Sequence, residues 1–198
     1  MWKTAYGDMP ANSMFGGAHQ IKVPRVTIDA FLRDSQEISQ GVVVGQPGWE
    51  ALLENNRQAF ALEFVQRLAA ALPTSMSPAE FVDKLNANAG NLLSANERAT
   101  AINLFGNAID TSSLNARARA LLFVAENEKL VESEFDRAFV LMEYFGYLRR
   151  DIFEGLNGDV TGYDFWLTKL NQFNVDFQKA EMVKAFISST EYRQRFGP

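Results

Sequence analysis

Asn157, Asp159, Thr161 and Gly162, within NGDVTG, fall at loop positions 1, 3, 5 and 6 of an EF-hand, where oxygen ligands and a glycine belong. Position 9 would be Phe165 and position 12 Thr168, so the bidentate acid that closes the calcium shell is missing. Two carboxylates, Asp159 and Asp164, remain within reach. Asn157, Asp159, Thr161 and Asp164 are therefore the candidate metal ligands, with calcium the candidate ion. The competing reading is capping: Thr161-Gly-Tyr-Asp164 has the form of a capping box, and Asp159 can cap one turn earlier.

The same stretch is the densest in aromatics, with Tyr144, Phe145, Tyr147, Phe153, Tyr163, Phe165 and Trp166. Rings with polar tips beside carboxylates suit a sugar face and its hydroxyls. Phe145, Phe165 and Trp166 are expected in the core, which leaves Tyr147, Phe153 and Tyr163 as the surface candidates for a ligand. Arg149 and Arg150, before Asp151, either complement a helix C-terminus or bind an anion or a partner's carboxylate.

Other chemistry is narrow. With no cysteine, thiolate metal sites and thiol nucleophiles are excluded, and one histidine, His19, is all that a Ser-His-Asp relay could use. His19 lies in GGAHQ with no nucleophile-elbow serine nearby, and neither a GxGxxG nor a P-loop pattern occurs. Glu50, Glu54, Glu63, Glu126, Glu128, Glu132 and Glu134 read as a solvated exterior rather than as paired catalytic acids. A net charge of −5 with scattered Lys and Arg argues against nucleic acid. No apolar run suits membrane insertion, and MWKTAYGDMP lacks a signal-peptide core. No cofactor is expected, and the chain reads as no enzyme.

The elements that must position these residues are helices. Apolar 3,4 spacing predicts one from about Trp49 to Leu72. Ser77-Pro-Ala-Glu80 and Ser94 to Glu97 are capping boxes that open two more, and a fourth, through Leu121 and Val124, follows DTSSLN. A long helix over Leu130 to Arg150 carries Phe135, Phe139, Leu141, Met142, Phe145 and Leu148, a stripe wide enough for a central helix. Helices are then predicted over Gly162 to Phe173 and Phe177 to Ile187, and a last one is entered through Ser188 and Glu191. Residues 1–47 differ: VPRVTI at Val23 to Ile28 and GVVVG at Gly41 to Gly45 predict a small hairpin or extended arms.

The chain also matches itself. Ala59 to Leu62 recurs as Ala138 to Leu141, and Phe81-Val-Asp-Lys-Leu-Asn86 recurs as Trp166-Leu-Thr-Lys-Leu-Asn171; the KLN element is the most specific. Residues 137–198 carry Tyr144 to Asp151 (YFGYLRRD), Gly162 with Trp166 and Leu170, and Ala185 to Tyr192 (AFISSTEY). This pattern resembles the bacterial "domain of unknown function 4214" family, with residues 58–135 as a diverged copy; IFEGLNG departs from it as an insertion. MVKAFISSTEYRQRF is distantly similar to the helical module of phycobilisome linker polypeptides, which are scaffolds. The opening MWKTAYGD resembles the tail of a helix, so the chain is expected to continue upstream of Met1.

The expected architecture is all-α: two diverged helical repeats, 48–135 and 136–198, around a long central helix, preceded by an extended or small β-hairpin region at 1–47. The resemblance implies a non-catalytic interaction or scaffold module within a larger secreted or cell-surface bacterial protein. Its expected partner is another protein or a second copy. The alternative is a carbohydrate-binding module that uses the aromatic loop, with calcium assisting.

Overall fold

The computed structural model describes residues 1–154 and 158–197. Most of them are helical, with ten α-helices and one two-stranded hairpin among the described residues. The chain divides into two compact units: 1–8 with 29–131, and 9–28 with 132–198.

The first unit holds α1 (Trp2–Tyr6), all but the first residue of α2 (Ile28–Ile38), α3 (Trp49–Arg67), α4 (Pro78–Ala89), α5 (Ala95–Asn103) and α6 (Leu114–Ala125). Both capping boxes form as read: Ser77 Oγ accepts from the Glu80 amide and Ser94 Oγ from the Glu97 amide, while each glutamate reaches back to its serine. Helix α6 is capped by Ser113, whose hydroxyl accepts from the Ala116 amide. Phe60 and Phe64 of α3, Leu68 just past its end, Phe81, Val82 and Leu85 of α4, and Leu121 and Val124 of α6 are buried together. Short α1 is held on this core by its rings and by a side-chain amide. Trp2 and Tyr6 sit 5.6 and 6.3 Å from Phe64, and Asn88 Nδ2 donates to the carbonyls of Thr4 and Ala5 at 3.1 and 2.8 Å.

Two ionic groups are built into this unit. Asp34 accepts from Trp2 Nε1 at 2.8 Å and from Arg67 Nη1 at 3.0 Å. Burial opposes its charge, but hydrogen bonds from Trp2, Arg67 and Arg33 outweigh that and hold the carboxyl below its ordinary pKa. Arg117 is fully buried and has no carboxylate partner among the described residues. Its guanidinium lies 4.4 Å over the Phe81 ring and donates to the Leu72 carbonyl at 2.6 Å and to Thr111 Oγ1 at 2.8 Å.

The second unit contains a β-hairpin, helices and a π-helical turn. Strands β1 (Asp8–Ser13) and β2 (His19–Pro24) pair. Helix α7 (Glu128–Glu143) belongs to this unit from Glu132 onward and runs into the π-turn Tyr144–Leu148, which Arg149 ends in a left-handed conformation. Helices α8 (Thr161–Gln172), α9 (Met182–Ser188) and α10 (Thr190–Phe196) follow. The buried set includes Val23, Val140, Leu141, Tyr144, Phe145, Tyr163, Leu170, Met182 and Phe186.

The structure corrects several expectations. The hairpin exists but is built largely from other residues: only Val23 and Pro24 of the first run lie in β2, Val26 to Ile28 lies beyond it, and Gly41 to Gly45 is turn and irregular chain. Helix α2 occupies a region read as extended. The long helix is not uniformly α, and Phe135, expected in its buried stripe, is exposed. The helix expected from Phe177 starts only at Met182, because Asp176 Oδ1 takes the Lys179 amide in a turn and Glu181 is left-handed at φ 53°.

Candidate functional site

The structure gathers residues around the start of α8 that sequence spacing kept apart. Asp164 points back to the hairpin: its Oδ2 accepts from Ser13 Oγ at 2.6 Å and lies 3.1 Å from His19 Nε2. His19 Nδ1 is 2.8 Å from the Gly17 carbonyl. Thr161 Oγ1 accepts from the Met14 amide at 2.8 Å, and the Val160 amide donates to the Asn12 carbonyl at 3.0 Å. The predicted Thr161–Asp164 capping box therefore does not form; both side chains are drawn to the hairpin, and Val160 is the N-cap residue without a side-chain cap. Asp159 does serve the helix start, accepting from the Thr161 amide at 3.1 Å.

These contacts also define what the cluster can do. Ser13, His19 and Asp164 are the residue types of a nucleophilic triad, but the carboxylate stands in the middle and receives the serine directly. A relay needs the imidazole between serine and acid, so this arrangement ties a turn to a helix instead of activating a hydroxyl. Asn157 of the calcium reading lies outside the described residues. Among the described residues, no group of three or more His, Asp or Glu side chains is placed to hold a metal.

Of the aromatic candidates, Tyr147 is half-buried, 6.4 Å from Phe186 and 6.3 Å from Tyr192, and Phe153 is also half-buried. Tyr163, expected at the surface, is 0% exposed, and its hydroxyl donates to the Arg137 carbonyl at 3.2 Å. Phe165, expected in the core, is exposed and meets Phe15 and Trp166 edge-on. Two positions apart, they lie about 200° from each other around α8, so burying one turns the other outward.

Arg149 is exposed. Arg150 meets a carboxylate of its own chain: Nε and Nη2 donate to Glu191 Oε1 and Oε2 at 2.5 and 3.1 Å, a fork that joins the π-turn to α10. The guanidinium lies 5.0 Å over the Tyr144 ring. Both arginine partners line a cleft of about 190 Å³ with Tyr144, Trp166 and Ser189. Burial pushes the Tyr144 phenol up to about 12.

The first unit carries a larger concavity that the sequence reading missed. A groove of about 430 Å³ is lined by Gln58 and Leu62 of α3, Leu104 just past α5, and a face of α6 that includes Ala118, Arg119, Leu122 and Phe123. Leu62, Leu104, Leu122 and Phe123 are half-buried, so its floor is apolar and open to solvent. A second hollow of about 350 Å³, lined by Glu97, Asn127, Glu128 and Lys129, adjoins it through Phe123 and Glu126. The signal was present in LNARARALLFVA: Arg117 falls with Ala120, Leu121 and Val124 on the buried face, which turns Arg119, Leu122 and Phe123 outward as an apolar stripe with one cation.

Comparison with protein-family models, curated proteins and solved structures returned no match. Among the described residues, no helix is long and apolar enough to cross a membrane.

Proposed function

We propose that this chain is a non-catalytic protein-interaction module, with the α6 groove as its contact surface. The observation that carries the reading is the groove itself: an apolar floor with a polar rim, set beside the unit's buried core. The family likeness at Tyr144 to Tyr192 supports a scaffold role inside a larger secreted or surface protein of a bacterium. The two-repeat reading draws its support from Leu85 and Leu170, the leucines of the KLN elements, which are both fully buried in α4 and α8.

Capture from the envelope of the source organism tests this, with wild-type chain compared against Leu122→Glu. A partner retained by the first and lost by the second is expected. Identical capture by both, or turnover of a substrate, would count against the reading.

A second reading, glycan binding, rests on the 190 Å³ cleft, where Trp166 and Tyr144 stand beside the Arg150–Glu191 fork. A glycan array with Trp166→Ala as control tests it, and a blank array ends it.

A further inference from the structure

Resting on the interaction-module reading, we propose that the α6 groove receives an amphipathic helix lying parallel to α6. That helix places an acidic residue over Arg119, a basic residue seven positions later over Glu126 and Glu128, and apolar residues between them.

The spacing comes from α6. Arg119, Leu122, Phe123 and Glu126 recur at intervals of three and four, so they form one stripe, and Arg119 and Glu126 stand about 10 Å apart along the axis. Between them the half-buried leucines and Phe123 offer the kind of apolar trough that takes side chains from a helix at i, i+3, i+4 and i+7. An open trough two turns long suits a helix better than a small ligand, which binds where most of its surface is enclosed.

Charge sets the direction. Arg119 is exposed and has no acidic partner among the described residues. At the opposite end Arg57 is shared between Glu54 and Glu126, and Lys129 stands 3.8 Å from Glu97. Glu128 there has no cationic partner among the described residues, so this end carries surplus negative charge. A helix is itself stabilised by acids in its first turn and bases in its last. Only the parallel orientation lets those same residues meet Arg119 and the acidic end.

Two fluorescein-labelled peptides of about 14 residues, the length at which residues seven apart fall in the first and last turns, test this by fluorescence anisotropy. Both carry the apolar pair on an alanine scaffold, one with Glu before Lys and the other with the two exchanged. The Glu-first peptide should bind about threefold more tightly, since the exchanged peptide must either meet two repulsions or lie antiparallel with its own end charges opposing its helix dipole. Arg119→Glu, at an exposed position, should reduce or reverse that preference. Leu122→Glu, and Gln58→Trp as a groove block at an exposed site, should abolish binding of both.

Equal binding of the two peptides, lost in Gln58→Trp, would overturn the charge order while leaving the groove as an interaction surface. Binding that survives both blocking substitutions would overturn the proposal and the groove reading together. If neither peptide binds, the helical occupant is overturned, and the capture experiment decides the groove reading separately. Concentration-dependent dimerisation lost in Gln58→Trp would assign the groove to a second copy and overturn the helix partner.

Discussion

Replacing Glu143 by Gln should stabilise the protein at pH 8 and destabilise it by about 1 kcal/mol at pH 4. Glu143 closes α7, is 6% exposed, and its Oε2 is buried with no hydrogen-bond partner. Burial pushes its carboxyl from 4.5 up to about 7, because the charged form loses its water and gains no cation. Between those two values the folded protein keeps a proton that the unfolded chain has released. Stability from this group is therefore complete below the unfolded value and is lost as pH rises through the folded one. A displacement of this size is worth roughly 3 kcal/mol at about 1.4 kcal/mol per pH unit. Gln keeps the shape without the charge, though its unpaired amide hydrogens give back about 1 kcal/mol. The net gain at pH 8 should be about 2 kcal/mol. Urea titrations at pH 4, 6 and 8 measure it through the midpoint and slope. A difference between wild type and Glu143→Gln that does not change with pH would refute the reasoning, since every other titrating group is common to both chains.

Gly162→Ala should destabilise, against the usual preference for alanine in helices, because a Cβ there would lie 2.5 Å from the Tyr144 hydroxyl. The cost should be about 1–3 kcal/mol, largely relieved by Tyr144→Phe, and a neutral Gly162→Ala in thermal melts would sink the idea. Arg117→Ala should cost about 3 kcal/mol, because it empties the space over Phe81 and leaves the buried Leu72 carbonyl and Thr111 hydroxyl without their donor. Arg117→Met, which fills the volume without a buried charge, should recover most of that loss, and equal losses in urea titrations would show that packing does not decide the effect. Asp164→Ala should speed hydrogen exchange at the Phe15 amide about tenfold, since the Ser13 hydroxyl that accepts from it is held by the carboxylate. Unchanged exchange there would mean that the turn holds itself. Ser94→Ala should cost about 1 kcal/mol by removing the acceptor for the Glu97 amide, readable as a lowered melting temperature.

Helix starts at Ser77, Ser94 and Ser113 were legible because their energetics are local: each serine meets an amide three residues away. The hairpin was not. Its first strand, DMPANS, contains proline and asparagine and lacks β-branched residues, so intrinsic preference points away from it. GVVVG has that preference and yet forms no strand among the described residues. Pairing decides strands, and a pairing partner is not a property of the segment. Helix α2 is a different case: Ile28, Phe31, Leu32 and Ile38 carry a helical period that the breakers around them obscured.

The candidate site divides along the same line. Asp159 accepts from the Thr161 amide at the helix start, a contact that its distance of two residues already allows. Thr161 and Asp164 have the spacing of a capping box, but Ser13, Met14 and His19 outcompete the local amides for them, 147 or more residues away in the chain for the two hydrogen bonds. Arg150 had an arginine's readiness for a carboxylate, and only the approach of α10 made Glu191 that carboxylate.

By itself the sequence determined the helical character, the caps and the stripes, and it excluded thiol chemistry and any metal site built on several histidines. These follow from composition and from interactions within one or two turns of helix. Tertiary structure alone decided which face of α8 turned inward, so that Tyr163 became core and Phe165 surface. It also decided that Leu62, Leu104, Leu122 and Phe123 would share one groove. Residues from separate helices become neighbours only when the core has closed, and the hydrophobic effect that closes it is blind to sequence distance.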